Sequence, residues 1–187
     1  MQHEFLTEIV RRLDDADIPY MLAGSMASAY HSEPRMTRDI DIVIDPTIEA
    51  MERFVGALDR SRYYVHDAID AVRRRDMCNV IDTVSGWKAD LIMRRDRPFS
   101  QEEFGRRERA EIAGAEVDVA TAEDTVLAKL EWRARSGSEQ QMRDVVALLR
   151  AQTLDLDYLR RWAAELGVSE SLDEALAAAD DAGRDSP

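Results

Sequence analysis

Between Tyr20 and Ile44 the chain admits few folds. Apolar Tyr20, Met21, Leu22 and Ala23 lead into Gly24 and Ser25, and after thirteen further residues come Asp39, Ile40 and Asp41, followed by Ile42, Val43 and Ile44. The first apolar run reads as a short strand ending at the glycine. Ser25 is placed to cap a helix reaching about His31, and Pro34 stops it. A second strand is expected over Asp39 to Ile44. Side chains alternate along a strand, so Asp39 and Asp41 share one face and Ile40, Ile42 and Ile44 the other. Two carboxylates about 6.6 Å apart on one strand face can chelate hard cations from one side. The Gly24–Ser25 turn offers backbone N–H groups at a helix N-terminus, a position that favours phosphate. An Asp-Ile-Asp triplet alone also fits a strand with a polar solvent face. The glycine-serine turn at this distance is what separates the two readings.

The rest of the chain builds around that unit. Phe5, Leu6, Ile9, Val10 and Leu13 form a helical stripe over Phe5 to Asp17. Asp45, Pro46 and Thr47 open a helix running to about Arg60. A short strand over Tyr63 to His66 and a short helix over Ile69 to Arg75 follow. Met77 to Thr83 and Lys88 to Met93 are apolar runs joined by Val84, Ser85, Gly86 and Trp87, the pattern of a β-hairpin. Ser100 caps a helix to about Arg107, and a second hairpin is expected around Gly114, pairing Glu111 to Ala113 with Glu116 to Val119. From Ala122 onward the pattern is helical: Glu123 to Ala134, a capping box of Ser138 with Gln141 opening a helix to Arg150, then Asp155 to Leu166 and Ser169 to Ala179. The expected class is α/β, a small mixed-sheet core with flanking helices over residues 1–120. A helical C-terminal part packed on that core is expected over 121–180, with a disordered tail at 181–187.

Composition narrows the partners. No apolar run approaches the ~20 residues of a membrane span, and the N-terminus lacks a signal-peptide pattern. The lone Cys78 excludes an internal disulfide and cannot build a structural zinc site. A soluble, cytoplasmic protein is expected. Net charge is −13, which argues against unspecific nucleic-acid binding. Residues 71–110 run the other way, with ten Lys/Arg against seven Asp/Glu. That basic insert either meets a phosphate backbone or balances acidic neighbours.

The glycine-serine turn, the gap of about a dozen residues and the Asp-apolar-Asp strand together resemble the nucleotidyltransferase superfamily to which DNA polymerase beta belongs. Within it the chain looks closest to the AbiEii-type nucleotidyltransferases, known mainly as toxins of toxin–antitoxin pairs. The resemblance covers residues 5–166 and is strongest over 19–45. It implies a Mg²⁺-dependent enzyme that uses two ions and moves a nucleoside monophosphate from a nucleoside triphosphate to an acceptor hydroxyl. Asp39 and Asp41 would hold both metals, and Gly24 and Ser25 the β- and γ-phosphates. Asp90, opening an apolar strand after the hairpin, is favoured as the third acid, binding the catalytic metal and helping to deprotonate the acceptor hydroxyl, with Asp82 and Asp118 as rivals. The likeness also implies nucleotide contacts for Lys129 and Asp144, whose residue types in amphipathic helices otherwise read as plain surface. Arg35 and Arg38 either pair with the triphosphate or with Glu33 and Asp39. His31, His66 and Cys78 read as structural, and Trp87, Trp132 and Trp162 as packing residues. The implied acceptor is the 3′ end of tRNA or a protein, with a cognate antitoxin as a further partner and no membrane. A small antibiotic-like alcohol, or a non-catalytic binding module of the same fold, are the alternatives.

Overall fold

A computed structural model describes residues 2–32, 39–112 and 114–184. Two compact units emerge. One comprises Met1–Met26 with Met36–Ala120, and the other Ala27–Arg35 with Thr121–Pro187.

The first unit is built on a mixed sheet. Its strands are β1 (Tyr20–Leu22), β2 (Asp39–Ile44), β3 (Tyr63–Val65), β4 (Met77–Asp82), β5 (Lys88–Met93), β6 (Glu108–Ile112) and β7 (Ala115–Val119), in the order β3-β4-β5-β2-β1-β7-β6. β2 runs parallel to β5 and β1 parallel to β7, and the other neighbours are antiparallel. Helices α1 (Gln2–Asp15), α3 (Ile48–Ala57), α4 (Ala68–Arg74) and α5 (Pro98–Arg106) complete it. Alternation decides which sheet face is buried. Ile40, Ile42 and Ile44 of β2, Val80 of β4, and Ala89 and Leu91 of β5 are fully buried, as are Leu6, Ile9 and Leu13 of α1 and Met51 and Phe54 of α3. Each large apolar side chain so removed from water contributes about 1.5–3 kcal/mol. That leaves Asp39, Asp41, Asn79, Ile81, Lys88 and Ile92, all less buried, on the opposite face.

The second unit holds α6 (Ala122–Ser136), α7 (Glu139–Ala151), α8 (Leu156–Leu166) and α9 (Ser169–Arg184), together with the end of α2 (Gly24–His31). Val126, Leu127, Leu130, Val145, Leu148 and Leu159 form its core. The Gln152 side chain donates to the carbonyl of His31 at 2.8 Å, tying α2 to the segment after α7.

Several local expectations need correction. Ser25 lies inside the first turn of α2, which begins at Gly24. α3 starts at Ile48 with Thr47 as its N-cap, whose hydroxyl accepts from Ala50 N, and ends at Ala57 rather than Arg60. α5 begins at Pro98, since proline is tolerated where no N–H is needed, and Ser100 Oγ accepts from Arg97 Nε instead of capping. Ser138 is the N-cap of α7 but forms no side-chain cap bond, and Gln141 is drawn away to Lys129. α9 continues past Ala179 to Arg184.

Candidate active site

The site starts from one glycine. Gly24 has φ +60°, and a Cβ there would fall 2.0 Å from Asp41 Oδ2 and 2.7 Å from its Cγ. Only glycine allows both the left-handed backbone and the close approach. Asp41 is brought to the turn because β2 lies beside β1: Leu22 stands opposite Ile42, and Ala23 N donates to Asp41 O at 2.9 Å. A carboxylate therefore lies directly against the turn whose backbone N–H groups open α2.

The neighbouring strand brings a third carboxylate. In the β2–β5 register Asp41 stands opposite Asp90, and Asp39 opposite Lys88. On the other side of β5, Asn79 of β4 faces Asp90. The amide of Asn79 donates to Asp90 Oδ1. Lys88 Nζ donates to Asp90 Oδ2 at 3.1 Å and lies 3.6 Å from Asp39 Oδ1. Partial burial pulls the Lys88 ammonium down, but its hydrogen bond to Asp90 and the charges of Asp90 and Asp39 outweigh this and hold it above the ordinary lysine value. Asp39, Asp41 and Asp90 thus occupy one face of two adjacent parallel strands.

The rival acids lie elsewhere. Asp82 has the opposite parity to Asn79 and is fully buried on the other sheet face. It accepts from Arg62 Nη2 at 2.9 Å, from Ser85 Oγ at 2.7 Å and from Val84 N at 3.0 Å. The Arg62 hydrogen bond, against the burial that opposes it and with help from Ser85 and Val84, holds its carboxyl well below the usual range. Its work is to close the β4–β5 turn. Asp118, on β7 beyond β1, pairs with Arg107 at 3.3 Å and Arg109 at 3.2 Å. Cys78 faces the core, where burial and then the Asp90 charge push its thiol up to about 11, so it is no nucleophile.

All-oxygen donors on one face suit a hard divalent cation, and the Lys88 ammonium between Asp39 and Asp90 shows that positive charge is accommodated there. Among the described residues no three such ligands are drawn closely enough to enclose one ion. Lys88 and Asn79 engage the Asp90 oxygens instead. Neither was singled out from sequence: counting outward from the expected turn Val84 to Trp87 sets Ile81 across from Asp90, and the observed register, shifted by two residues, sets Asn79 there and Ile81 across from Lys88.

Within the helical unit, Lys129 and Asp144 are buried rather than plain surface. Lys129 Nζ donates to Asp144 Oδ2 at 2.8 Å and to Gln141 at 3.3 Å, and Gln140 donates to Asp144 Oδ1 at 2.7 Å. Sequence reasoning also passed over Asp124, which is fully buried and accepts from Thr121 and from the Tyr158 hydroxyl. Trp132, read as packing, is 56% exposed. Arg35 and Arg38 lie outside the described residues. In the basic insert, Arg75 and Arg94 both pair with Asp45, Arg73 with Asp70, and Arg107 and Arg109 with Asp118.

No family model and no curated protein matches the sequence. Solved structures do match. An antigenic nucleotidyltransferase-like protein from Paracoccidioides brasiliensis superposes with a TM-score of 0.66 at 16% identity, covering 97% of this chain and 90% of that one. ANT(2")-Ia in complex with adenylyl-2"-tobramycin gives 0.59 at 12% identity over 88% and 96%. Lincomycin-bound LnuA, a lincosamide antibiotic adenylyltransferase, gives 0.54 at 13% over 79% and 96%. With the glycine turn, the paired strand acids and the mixed sheet already placed, these likenesses settle the architecture: the chain has the nucleotidyltransferase fold.

Proposed function

We propose that this chain is a metal-dependent nucleotidyltransferase, moving a nucleoside monophosphate from a nucleoside triphosphate to an acceptor hydroxyl. The observation that carries the reading is the contact of Asp41 with Gly24, which leaves no room for any other residue at that turn. A strand acid seated on a helix-opening turn joins a cation site to a phosphate site. The divalent cations would be held by Asp39 and Asp41, with Asp90 as a further ligand to one of them. Bound there, they would neutralise the triphosphate and lower the pKa of the acceptor hydroxyl.

The residues of the chain supply the rest. Backbone N–H groups at Gly24 and Ser25 bind the β- and γ-phosphates and fix the triphosphate against the sheet. Asp90, on the side of Asp41 away from the turn, takes the proton of the acceptor hydroxyl. The acceptor oxygen forms its bond to the α-phosphorus as the α–β bridging bond breaks, and pyrophosphate carries the electron pair away. Asn79 keeps the Asp90 carboxylate oriented for that transfer.

The resemblance to toxin nucleotidyltransferases makes tRNA, or a protein, the first acceptor to test, with an antitoxin as partner. A small hydroxylated molecule is favoured over RNA by a specific observation: Arg75 and Arg94 of the basic insert are occupied with Asp45. Two of the structural neighbours are antibiotic adenylyltransferases. The test is incubation with each α-labelled nucleoside triphosphate and Mg²⁺, with total tRNA, cell lysate or a panel of aminoglycosides and lincosamides as acceptor. Label should move to one pool with the wild type and to none with Asp41→Asn. Equal labelling by both proteins would sink the assignment.

A further inference from the structure

The carboxylate face already contains a cation. Lys88 lies two residues before Asp90 on β5, so both side chains leave the same sheet face, and Lys88 stands opposite Asp39. Its ammonium is 3.1 Å from Asp90 Oδ2 and 3.6 Å from Asp39 Oδ1. One point charge therefore spans two acids on different strands. The remaining Asp90 oxygen is held by Asn79, which leaves Asp90 fastened on both sides. An exposed cross-strand ion pair would be of little consequence alone. Here the cross-strand partner Asp39 is 54% exposed, but the same ammonium also pairs along β5 with Asp90, where the Lys88 and Asp90 side chains are only 34% and 12% exposed, and the acids bridged are those assigned to the metal.

Three carboxylates on neighbouring positions of two strands repel one another when nothing positive lies between them. A lysine ammonium is compact and strongly hydrated, on a flexible stem. It can fill a cation position without the fixed fork of an arginine, and can leave it by rotating about its own bonds.

We propose that Lys88 is a resident counter-ion of the carboxylate site. It holds Asp39 and Asp90 together in the metal-free protein and competes with the divalent cation for the same oxygens. Metal enters as the ammonium leaves. Lys88 is thus a positioning residue that sets how tightly the site binds metal. The inference rests on the nucleotidyltransferase reading of Asp39, Asp41 and Asp90.

The test measures binding and stability without turnover. Lys88→Met removes the charge and keeps most of the stem. Mg²⁺ and Mn²⁺ are titrated calorimetrically into wild type, Lys88→Met, Lys88→Arg and Asp41→Asn, with no nucleotide present. Lys88→Met is expected to bind metal at least about tenfold more tightly than wild type, since a like charge within a few Å has been removed. Lys88→Arg, which retains the charge on a less readily displaced fork, should show no such gain in affinity. In EDTA the Lys88→Met protein should melt below wild type, and saturating Mg²⁺ should raise its Tm by more than it raises the wild-type Tm. A purely structural ion pair would lower the Tm in EDTA and leave metal affinity unmoved, and that result overturns the proposal. If Lys88→Met does not fold, Lys88→Gln carries the same comparison. The metal reading fails separately: wild type and Lys88→Met, both folded by circular dichroism, would show no metal binding, or Asp41→Asn would bind as wild type does.

Discussion

Gly24 is the residue on which the site turns, and its replacement gives the sharpest expectation. Alanine at this position must adopt a left-handed backbone, which costs about 1–2 kcal/mol for an L-residue. Its Cβ must also displace the Asp41 carboxylate, 2.0 Å away. Displacement of order 1 Å at a reacting centre lowers rates about a hundredfold. Gly24→Ala is therefore expected to lose at least that factor in single-turnover rate while its Tm falls by only a few degrees. A variant with near-wild-type turnover would show that the turn and Asp41 do not act together. Gly24, Asp39 and Asp41 were legible because they are close in sequence and their faces follow from strand alternation. Lys88 and Asn79 were not, because what they do depends on which oxygen of Asp90 each reaches, and no periodicity encodes that.

At the scale of single elements the structure separates acids that sequence left as rivals. Asp82 closes the β4–β5 turn through Arg62, Ser85 and Val84. Its carboxyl is held below the usual range, so the folded state favours the ionised form. That stability is fully present above the ordinary carboxylate pKa of about 4 and is lost as pH falls through the lower folded value. Asp82→Asn should cost about 1.5–3 kcal/mol at pH 7, the worth of hydrogen bonds to a charged group. It should also flatten the acid limb of a urea-melt pH series below about pH 4, and a variant with the wild-type acid limb would contradict this role. The Lys129–Asp144 pair bridges α6 and α7 in the same manner. Breaking one partner of a buried pair typically costs about 3–5 kcal/mol, so Lys129→Met should melt well below wild type. Its nucleotide KM, measured beside the melt, tests the contact with the triphosphate that the family resemblance implies. The helices themselves were readable from apolar stripes. Their ends were less so: Ser100 and Ser138 look like side-chain caps by type, and at both positions the local bonds go elsewhere.

The organisation of the whole chain was visible in outline, as an α/β part followed by helices, but the membership of α2 was not. From Ala27 the chain groups with the C-terminal helices, an association that depends on partners more than a hundred residues away, such as Gln152 on His31. The proposed acceptor belongs to the same scale. Sequence counting gives residues 71–110 an excess of three positive charges in a chain of −13, and an excess of that kind attracts RNA only where its charges are free to meet phosphate. Arg94 is only 15% exposed and pairs with Asp45 at 2.8 Å, while Arg75 reaches the same acid and the carbonyl of Arg94. Arg73, Arg107 and Arg109 have acidic partners as well. Each such pair cancels a charge that counterion release would need. The triple replacement of Arg94, Arg95 and Arg97 by glutamate is therefore expected to lower stability, because Asp45 gains a like charge. It should leave tRNA affinity where it was. Wild-type tRNA binding should be weak, with a shallow dependence of log K on log salt, corresponding to one or two phosphate contacts at about 0.9 per contact on a duplex and less on a single strand. Filter binding across a salt series, with the melting curve of each protein beside it, distinguishes the outcomes. A steep salt slope in the wild type that the triple variant abolishes would make the insert an RNA track and return tRNA to the front of the acceptor list. A shallow slope shared by both proteins leaves a small hydroxylated molecule as the acceptor that the charge arrangement favours.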